Sequence, residues 1–435
     1  MATVLGTLLG VLFGTLASGL WVGLTLLFTS VVMLMVFRHI PVDRLIPEYV
    51  FGTLTKPELV ALPLFIVMGE LLFRTRLSRS LFNGLAPWAA LLPGRLLHVN
   101  VVGCSVFAAI SGSSAVTTQV VGRISLSELR RRGYSDRIAI GSLAGAGTLG
   151  FLIPPSTIMI IYGVLADESV LRLFTAGFIP GIFLAGCFMA WIMLHTTFEP
   201  DLVPESERAM REMPLKERFA ALRELAPAIF LILCVLGSMY AGIATPSEAA
   251  ALGVVGALIV SKIQGALSAE TLRDVAMGSV QTCGMIGMIV IGATILGNTA
   301  AFLGIPSMVA NFVASLGLST FELIGVLVCF YIILGCFLDG FSIIVMTLPV
   351  VLPLVNSVGF DKLWFGIFLV VVVEMSQITP PVGFNLFVIQ GLTGKPLGEI
   401  AVMTLPYLLV MVIFTALLAV YPGIVSFLPN LLLGR

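Results

Sequence analysis

The sequence predicts an all-α polytopic membrane protein, and two observations lead to this prediction. Apolar residues make up 58% of the 435-residue chain and charged residues only 11%, whereas about a quarter of an average soluble domain is charged. Apolar stretches long enough to cross a bilayer as helices recur from one end of the chain to the other. A membrane-spanning barrel would instead show segments of about 10 residues with alternating polarity. Helices are therefore expected throughout.

Charge and motif content argue against several other classes of protein. The 23 basic and 23 acidic residues balance, so we expect no nucleic-acid partner. The six cysteines lie in apolar segments without a CxxC pair, which favours packing residues over zinc ligands or disulfides. A GxGxxG match at 145–150 ends in a Pro-Pro pair instead of opening a helix after a strand, so it does not indicate a dinucleotide site. With no Walker motif and no paired histidines, we expect neither a cofactor nor an enzyme.

The first 37 residues are interpreted as retained membrane segments, because they lack the basic start of a secretory signal. Gly6, Gly10 and Gly14 are spaced four apart, which places them on one helix face and allows another helix to approach closely. That face packs either inside the chain or against a partner subunit, and the sequence leaves both interpretations open.

A polar linker divides the chain into two halves in which the same elements follow in the same order. Each half has three apolar spans, a broken apolar segment that we predict to be a re-entrant helical hairpin, a span broken at a Pro-Pro pair, and a last span. We therefore predict repeats of five spans each. The predicted boundaries are 1–198 for the first repeat (hairpin 96–129, broken helix 138–166), 199–224 for the cytoplasmic linker, and 225–435 for the second repeat (hairpin 321–357, broken helix 363–390).

The basic residues predict that the two repeats are inverted relative to each other in the membrane. Nine arginines between Arg74 and Arg137 flank the first hairpin and mark the cytoplasmic side. The second hairpin has only Lys362 close behind it, so its ends are expected outside. With ten spans, both termini and a loop at 38–56 outside, 17 basic residues lie inside and 6 outside.

The tip of the first hairpin is a candidate ion or substrate site. Ser111, Gly112, Ser113 and Ser114 place three hydroxyls and a flexible residue where a helix has to break inside the membrane. A break exposes carbonyls at one half-helix end and N–H groups at the other. Carbonyls with hydroxyls suit a sodium ion, whereas N–H groups suit an anion. The alternative is that these are ordinary small packing residues.

The two Pro-Pro breaks are further candidates, because a proline within a helix frees the carbonyl four residues earlier. Oxygen-bearing side chains beside the prolines offer ligands for a hard cation, and mechanical kinks are the alternative. The candidate residues are Thr148, Gly150, Pro154, Pro155 and Ser156 in the first break and Thr379, Pro380, Pro381, Gly383 and Asn385 in the second.

Acidic residues within apolar segments are functional candidates, because an unpaired carboxylate in a membrane is costly. Asp339, followed by Gly340 and Ser342, lies at the tip of the second hairpin. It either binds sodium directly, caps the second helix of the hairpin or pairs with a neighbouring helix. Glu374 and Glu70 are more easily explained by pairing with helix ends or neighbouring helices. The candidate sodium ligands are Ser113, Gly340 and Thr379.

Together these motifs resemble the large membrane subunit of the tripartite ATP-independent periplasmic (TRAP) transporters. The resemblance covers nearly the whole chain. Its strongest elements are ISGSSA at 110–115 and the two Pro-Pro motifs, GFLIPPS at 150–156 and ITPPVGFN at 378–385, and GCFLDG at 335–340 also matches.

The resemblance implies a sodium-driven importer of small organic anions, carboxylates or sulfonates, in a bacterial inner membrane. It also implies two partners, a periplasmic substrate-binding protein that delivers the anion and a small four-span membrane subunit. The implied mechanism is an elevator motion, in which the hairpins and broken helices move as one body against the remaining spans. A stand-alone sodium/carboxylate carrier or antiporter is the alternative, and a channel or an intramembrane enzyme is a more distant one.

Overall fold

The computed structural model describes residues 2–38, 42–75, 77–204, 213–380 and 383–434. Within these ranges the chain is helical and contains no β-strand, so the prediction of an all-α fold is confirmed. Six helices are long and apolar enough to cross a membrane, and a bent pair of helices adds a seventh candidate. The protein is therefore a polytopic membrane protein, while the number of ten spans stays a prediction.

Helices of the first half begin and end at positions that the local sequence marks. Gly19, with φ +82, separates the first two helices, and the pair Pro154-Pro155 separates the ninth from the tenth. The helices are α1 (Ala2–Ala17), α2 (Val22–Phe37), α3 (Val42–Leu54), α4 (Ala61–Phe73), α5 (Leu77–Ala89), α6 (Leu97–Ser111), α7 (Ser114–Arg131), α8 (Asp136–Gly147), α9 (Leu149–Leu152), α10 (Thr157–Ala166) and α11 (Val170–Phe198).

Capping residues start several helices of the second half. Thr245 with Glu248, and Ser319 with Glu322, form reciprocal capping boxes at the starts of α13 and α16, where side chains satisfy backbone N–H groups that have no partner inside the helix. The helices are α12 (Leu215–Tyr240), α13 (Pro246–Ile263), α14 (Ala269–Phe302), α15 (Ile305–Ser315), α16 (Thr320–Gly335), α17 (Gly340–Ser357), α18 (Lys362–Gln377), α19 (Phe384–Thr393), α20 (Leu397–Val420) and α21 (Gly423–Leu433).

Two helices lie where the sequence analysis expected irregular chain. α3 occupies most of the loop predicted at 38–56, and α12 begins at Leu215, inside the predicted linker 199–224. α3 carries Asp43 in its first turn, where an acidic side chain stabilises a helix. It is amphipathic rather than uniformly apolar, so hydropathy alone does not reveal it. It meets the following segment, Pro57–Phe73, at a bend of 61°.

The centre of the molecule is built from α18 and the first broken helix, α8 to α10. Every residue from Leu363 to Gln377 is buried, and the segment Asp136–Ala166 is buried over 94% of its most apolar stretch. Outer helices instead expose large apolar side chains such as Ile263 and Val280. A helix that is apolar on all sides belongs in a protein core or in lipid, so the outer helices are suited to contact with the bilayer.

Glycines allow two close helix crossings. A Cβ at Gly23 of α2 would lie 2.7 Å from the backbone of Met288 in α14. A Cβ at Gly145 of α8 would lie 2.6 Å from the ring of Tyr407 in α20. Gly145 begins the GxGxxG match, so this sequence lies on a helix and leaves room for an aromatic ring.

The glycine face of α1 contacts nothing in the described chain. A Cβ added at Gly6, Gly10 or Gly14 has no neighbouring atom within 4 Å. The described residues therefore do not show these glycines packing inside the chain, which was one of the two interpretations.

Candidate functional site

The tip of the first hairpin is joined to the first Pro-Pro break. α6 ends at Ser111 and α7 begins at Ser114, and between them Gly112 has φ +61, a left-handed conformation that glycine adopts without strain. The Gly112 carbonyl oxygen accepts two hydrogen bonds from Thr157, at 3.2 Å from its backbone N–H group and at 2.8 Å from its hydroxyl. A Cβ on Gly112 would lie 2.7 Å from the Pro155 carbonyl oxygen. The tip is thus held against the start of α10.

Ser114 lies where the two halves of the chain meet. Its side chain is buried, and its hydroxyl oxygen accepts a 2.6 Å hydrogen bond from Nδ2 of Asn385. The same hydroxyl lies 2.9 Å from Oε2 of Glu374 and 3.0 Å from the Gly147 carbonyl oxygen, and its single proton can serve only one of these acceptors at a time. Four elements, α7, α8, α18 and α19, therefore meet at one oxygen atom, which we call the Ser114 junction.

Glu374 is the buried acid at the Ser114 junction. Its side chain is 0% exposed. Oε1 accepts a 2.9 Å hydrogen bond from the backbone N–H group of Phe151 in α9, and Oε2 faces the Ser114 hydroxyl. The carboxyl group thus pairs with a helix break in the other half of the chain. Phe151 was not among the predicted residues, because a backbone N–H group leaves no signal in the sequence.

Asn385 has one acceptor atom without a partner. The side chain is 1% exposed, and no described residue donates a hydrogen bond to its Oδ1. Leaving a buried polar atom unpaired costs about 1–3 kcal/mol. An amide oxygen is also a type of ligand that hard cations take in proteins. This atom is therefore available to a cation or a donor group bound beside the junction.

Gly150 brings the first Pro-Pro break into direct contact with the first tip. A Cβ at this position would lie 2.6 Å from the Ser114 nitrogen and 2.7 Å from the Ser113 carbonyl oxygen, so any larger residue would push the tip away. Pro154 and Pro155, a few residues later, are buried between α9 and α10. The prolines end the helix, and the glycine lets the tip approach it.

Two hydroxyl groups of the first break are engaged locally. Thr148 donates to the Gly145 carbonyl oxygen at 2.7 Å, and Ser156 caps α10 by accepting a 3.3 Å hydrogen bond from the Met159 N–H group. Both side chains are fully buried. Thr157, which holds the first tip, was not among the predicted residues. It directly follows the Pro-Pro-Ser sequence, and its position at the start of α10 was the available signal.

Asp339 caps α17 at the second tip. Its Oδ2 accepts hydrogen bonds from the N–H groups of Phe341 and Ser342 at 3.0 and 3.3 Å, and the Ser342 hydroxyl donates to Oδ1. Of the roles considered for Asp339, the structure shows the capping role, in which both carboxyl oxygens are engaged.

The second tip packs against the first break. A Cβ on Gly340 would lie 3.1 Å from Val373 and 3.2 Å from Ile158. The rings of Phe341 and Phe151 pack edge to face with their centroids 5.3 Å apart. Both hairpin tips therefore contact α9 and α10, although the tips lie in different halves of the chain.

A glycine allows the turn at the second Pro-Pro break. Gly383 has φ +42, and a Cβ there would lie 2.7 Å from the Gln377 carbonyl oxygen, so a larger residue would be strained and crowded. Thr379 donates to the Met375 carbonyl oxygen at 2.7 Å. Pro381 lies outside the described residues.

The three candidate sodium ligands lie on three different elements. Ser113 belongs to the first tip, Gly340 to the second tip and Thr379 to the second break, and within the described ranges no hydrogen bond joins one of them to another. The Cys336 thiol, at the second tip, lies 3.6 Å from the Pro380 carbonyl oxygen, which connects the second tip with the second break. Sodium binding stays a prediction.

Glu70 lies away from the Ser114 junction. Its Oε2 would be 3.1 Å from a Cβ on Gly278, so the acid packs between α4 and α14. One turn later Arg74 forms a 3.0 Å ion pair with Asp274 of α14. Glu70 therefore belongs to the contact between these two helices.

A cavity of about 780 Å³ adjoins the second tip. Its polar lining residues are Asp339, Ser342 and Gln281, and most of the remaining lining is apolar and comes from α2, α14 and the turn before α2. Among the described residues no basic side chain lines this cavity, so they offer no cationic partner for an organic anion there.

Comparison with known proteins assigns the chain to a family. Residues 9–424 match the family model described as tripartite ATP-independent periplasmic transporter, DctM component. The chain belongs to the DctM family. The resemblance to TRAP transporters predicted from the motifs is thereby confirmed. Members of the DctM family are transporter permeases rather than enzymes.

Relatives in the DctM family align with nearly the whole chain. The C4-dicarboxylate TRAP transporter large permease of Rhodobacter capsulatus is 31% identical over 95% of this chain and 96% of its own. The sialic acid TRAP transporter large permease of Vibrio cholerae is 27% identical over 96% of both chains. The isethionate TRAP transporter permease of Oleidesulfovibrio alaskensis is 31% identical over 89% of this chain and 60% of that protein.

The fold of this DctM-family chain also resembles a solved structure. The YdaH transporter of Alcanivorax borkumensis, described as having an unusual topology, aligns with a TM-score of 0.60 over 87% of this chain and 88% of that one. The two sequences are 15% identical, so the similarity concerns the fold alone.

Proposed function

We propose that this protein imports a small organic anion across a bacterial inner membrane, driven by sodium ions, after a periplasmic substrate-binding protein has delivered the anion. Membership of the DctM family supports transport. The relatives support the class of substrate, because their descriptions name C4-dicarboxylates, sialic acid and isethionate, which are all organic anions. Carboxylates and sulfonates both fall within the proposed class.

The observation that carries the proposal is the Ser114 junction. It gathers a hydroxyl, an amide and a carboxyl group from both halves at points where helices are interrupted. Transporters commonly bind ions and substrates at such interruptions, using freed carbonyls and half-helix ends near the middle of the membrane. The unpaired Oδ1 of Asn385 adds an oxygen ligand. We place sodium binding beside this junction, with Ser113, Gly340 and Thr379 as candidate ligands.

Contacts among the four interruptions support an elevator motion. Hydrogen bonds among Ser114, Glu374, Phe151 and Asn385 join the first tip to both Pro-Pro breaks, so moving any of these three interruptions alone would break buried hydrogen bonds. Each broken bond of this kind leaves a costly unpaired group. The second tip is attached by packing, with the ring of Phe341 against that of Phe151. The hairpins and broken helices are therefore expected to move as one body.

We assign the last span of each half to the moving body. From the sequence, only the hairpins and broken helices were expected to move against the remaining spans. A Cβ at Gly177 of α11 would lie 2.8 Å from the Leu152 carbonyl oxygen, and Tyr407 of α20 fills the space beside Gly145. These close contacts attach α11 and α20 to the first broken helix. We define the body as α6 to α11 and α16 to α20, and the scaffold as α1 to α4 and α12 to α14.

The small four-span membrane subunit is proposed to bind the scaffold. The face of α1 that carries Gly6, Gly10 and Gly14 is open among the described residues, and small residues in this pattern allow two helices to pack closely in a membrane. A partner that holds the scaffold still would let the body move relative to it.

Uptake into proteoliposomes tests the proposed function. The purified chain is reconstituted with the proposed small membrane subunit and periplasmic binding protein, and uptake of labelled succinate, isethionate and N-acetylneuraminate is measured. An inward sodium gradient is expected to stimulate uptake of at least one anion about tenfold over an equal potassium gradient. Uptake that ignores sodium contradicts sodium coupling. Equal uptake without the binding protein favours the stand-alone carrier instead.

A further inference from the structure

A second cavity, of about 260 Å³, lies between the scaffold and the moving body. The scaffold contributes Lys56 and one face of α14, and the body contributes the end of α10 and part of α17. The lining residues that matter for its chemistry are Lys56, Val164, Thr294, Asn298, Leu348 and Pro349. We call this cavity the Lys56 pocket.

Lys56 is the only charged residue among the described residues that line the pocket. Its Nζ donates a 2.9 Å hydrogen bond to the Val164 carbonyl oxygen, in the last turn of α10. Within the described ranges no carboxylate lies within ion-pairing distance of this ammonium group. One of its three N–H bonds is therefore used on a neutral acceptor, and the described residues give the ammonium group no ion-pair partner.

Polar groups of α14 lie beside this charge. Thr294 and Asn298, one helical turn apart, both line the pocket. Nδ2 of Asn298 donates to the Thr294 carbonyl oxygen at 2.8 Å, which leaves a second amide hydrogen for another acceptor. Leucine and proline side chains form most of the remaining wall. A cation, an amide donor and an apolar wall together match the composition of a site for a small organic acid.

The charge of the lining distinguishes this pocket from two other cavities with polar linings. The cavity at the second tip contains Asp339 and no basic residue. A cavity near Arg95 also contains Asp201, and Nη1 of Arg95 already donates to the Pro204 carbonyl oxygen. Among the described residues that line these three cavities, the Lys56 pocket alone has a basic residue and no acidic one.

We propose that the Lys56 pocket is an anion-binding site on the outer side of the boundary between the scaffold and the body. In this site Lys56 binds the carboxylate or sulfonate group of the transported anion. A hydrogen bond from an ammonium to an anionic oxygen is stronger than one to a carbonyl, so the anion replaces Val164 as the partner of Lys56. The proposal rests on the proposed function for the identity of the anion, but not for the existence of the site.

Lys362 provides a matched control. Its Nζ lies 3.3 Å from the Ala166 carbonyl oxygen, two residues beyond the partner of Lys56 at the same end of α10. Lys362 belongs to the moving body and does not line the pocket. Removing either lysine takes away one positive charge from this end of α10, but only Lys56→Met changes the charge inside the pocket.

Charged thiol reagents test the site without any transport step. Thr294→Cys is made in the otherwise unchanged chain, in Lys56→Met and in Lys362→Met, and each is reconstituted in nanodiscs. Modification rates of the introduced thiol with 2-sulfonatoethyl and 2-(trimethylammonio)ethyl methanethiosulfonate are measured by peptide mass spectrometry. Lys56→Met is expected to lower the ratio of the anionic to the cationic rate about tenfold, and Lys362→Met to leave it within about twofold. The proposal is overturned if the ratio of the two rates falls equally in both lysine variants or is unchanged in Lys56→Met. It is also overturned if the introduced thiol does not react.

Kinetics of uptake then test whether the transported anion uses the site. In the reconstituted three-component system, Lys56→Met is expected to raise KM at least tenfold with a smaller change in kcat, and Lys56→Arg to recover part of the affinity. If Lys56→Met lowers the ratio of modification rates but leaves KM unchanged, the pocket binds anions without serving transport, and that part of the proposal is wrong. Absence of uptake by the unchanged chain would instead contradict the proposed function, while the labelling result would stand.

Discussion

The backbone N–H group of Phe151 donates a 2.9 Å hydrogen bond to Oε1 of Glu374. These residues are separated by 223 positions in the chain, and each lies at or beside the interruption of a buried helix. The other oxygen of the same carboxyl group faces Ser114 at the tip of the first hairpin. One side chain therefore sets the distance between a hairpin tip and a helix break and does so from the other half of the chain.

Replacement of Glu374 is expected to separate these elements. Glu374→Ala leaves the buried Phe151 N–H group and the Ser114 hydroxyl without this acceptor, at a cost of about 1–3 kcal/mol. Glu374→Gln keeps an acceptor oxygen for Phe151 and offers an amide donor to the Ser114 oxygen. The alanine variant should therefore unfold at a lower temperature in detergent and lose more than tenfold in uptake, whereas the glutamine variant should retain most of both. Equal behaviour of the two variants would show that the hydrogen bonds are unimportant.

Gly150→Ala is expected to impair transport by pushing the first tip away from the first break. The added Cβ would meet the Ser114 nitrogen at 2.6 Å, and overpacking of this kind costs about 1–3 kcal/mol. Gly186→Ala in α11 is the matched control, because its Cβ would have no neighbour within 4 Å. Uptake should fall at least tenfold in the first variant and stay unchanged in the second, at equal amounts of protein in the membrane. Normal uptake by Gly150→Ala would argue against a tight tip contact.

Ser113→Ala and Thr379→Ala are expected to weaken the dependence of transport on sodium. Both remove a hydroxyl oxygen at a helix interruption, where oxygen ligands are expected to bind the coupling ion. Ser127→Ala is the control, since its hydroxyl bonds to the Ile124 carbonyl oxygen on an exposed part of α7. The sodium concentration for half-maximal uptake should rise about fivefold or more in the first two variants only. An unchanged sodium curve in both would remove these residues from the list of ligands.

A disulfide between the scaffold and the body is expected to stop transport. A Cβ at Gly297 of α14 would lie 3.3 Å from the Cβ of Pro349 in α17, close to the separation that a disulfide requires. The pair Gly297→Cys and Pro349→Cys should therefore cross-link on oxidation, abolish uptake, and regain it on reduction. In the control pair, Gly103→Cys and Val121→Cys, both residues belong to the first hairpin, so its cross-link should spare uptake. Full cross-linking of the first pair with undiminished uptake would contradict the elevator motion.

The predicted orientation is expected to appear in labelling with a membrane-impermeant maleimide. Thr320→Cys, at the start of α16, should react in intact spheroplasts because the ends of the second hairpin are expected outside. Lys216→Cys, at the start of α12, should react only after the membrane is permeabilised, because the linker is expected inside. The opposite pattern would invert the topology.

Several features of the fold and the site were predictable because local chemistry decides them. Prolonged apolar composition requires helices in a membrane, and the interruptions fall at Ser111 to Ser114 and at Pro154-Pro155 because glycine and proline disfavour a continuous helix. Asp339 was a candidate cap because an acidic residue before a glycine at a helix start satisfies free N–H groups within a few residues. α3 was missed because an amphipathic helix does not stand out by hydropathy.

What joins the interruptions was decided only by the tertiary structure. The partners of Glu374 and of the Gly112 carbonyl oxygen are a backbone N–H group and a threonine, contributed by α9 and α10, and neither residue type marks such a role in a sequence. The hydrogen bond of Lys56 and the residues beside it in the pocket depend likewise on which helix end and which face of α14 pack there. The sequence by itself determined where the helices break, because a break depends on the conformational preferences of a few neighbouring residues. Only the folded chain determined which breaks meet, because hydrogen bonds between distant segments depend on how whole helices pack.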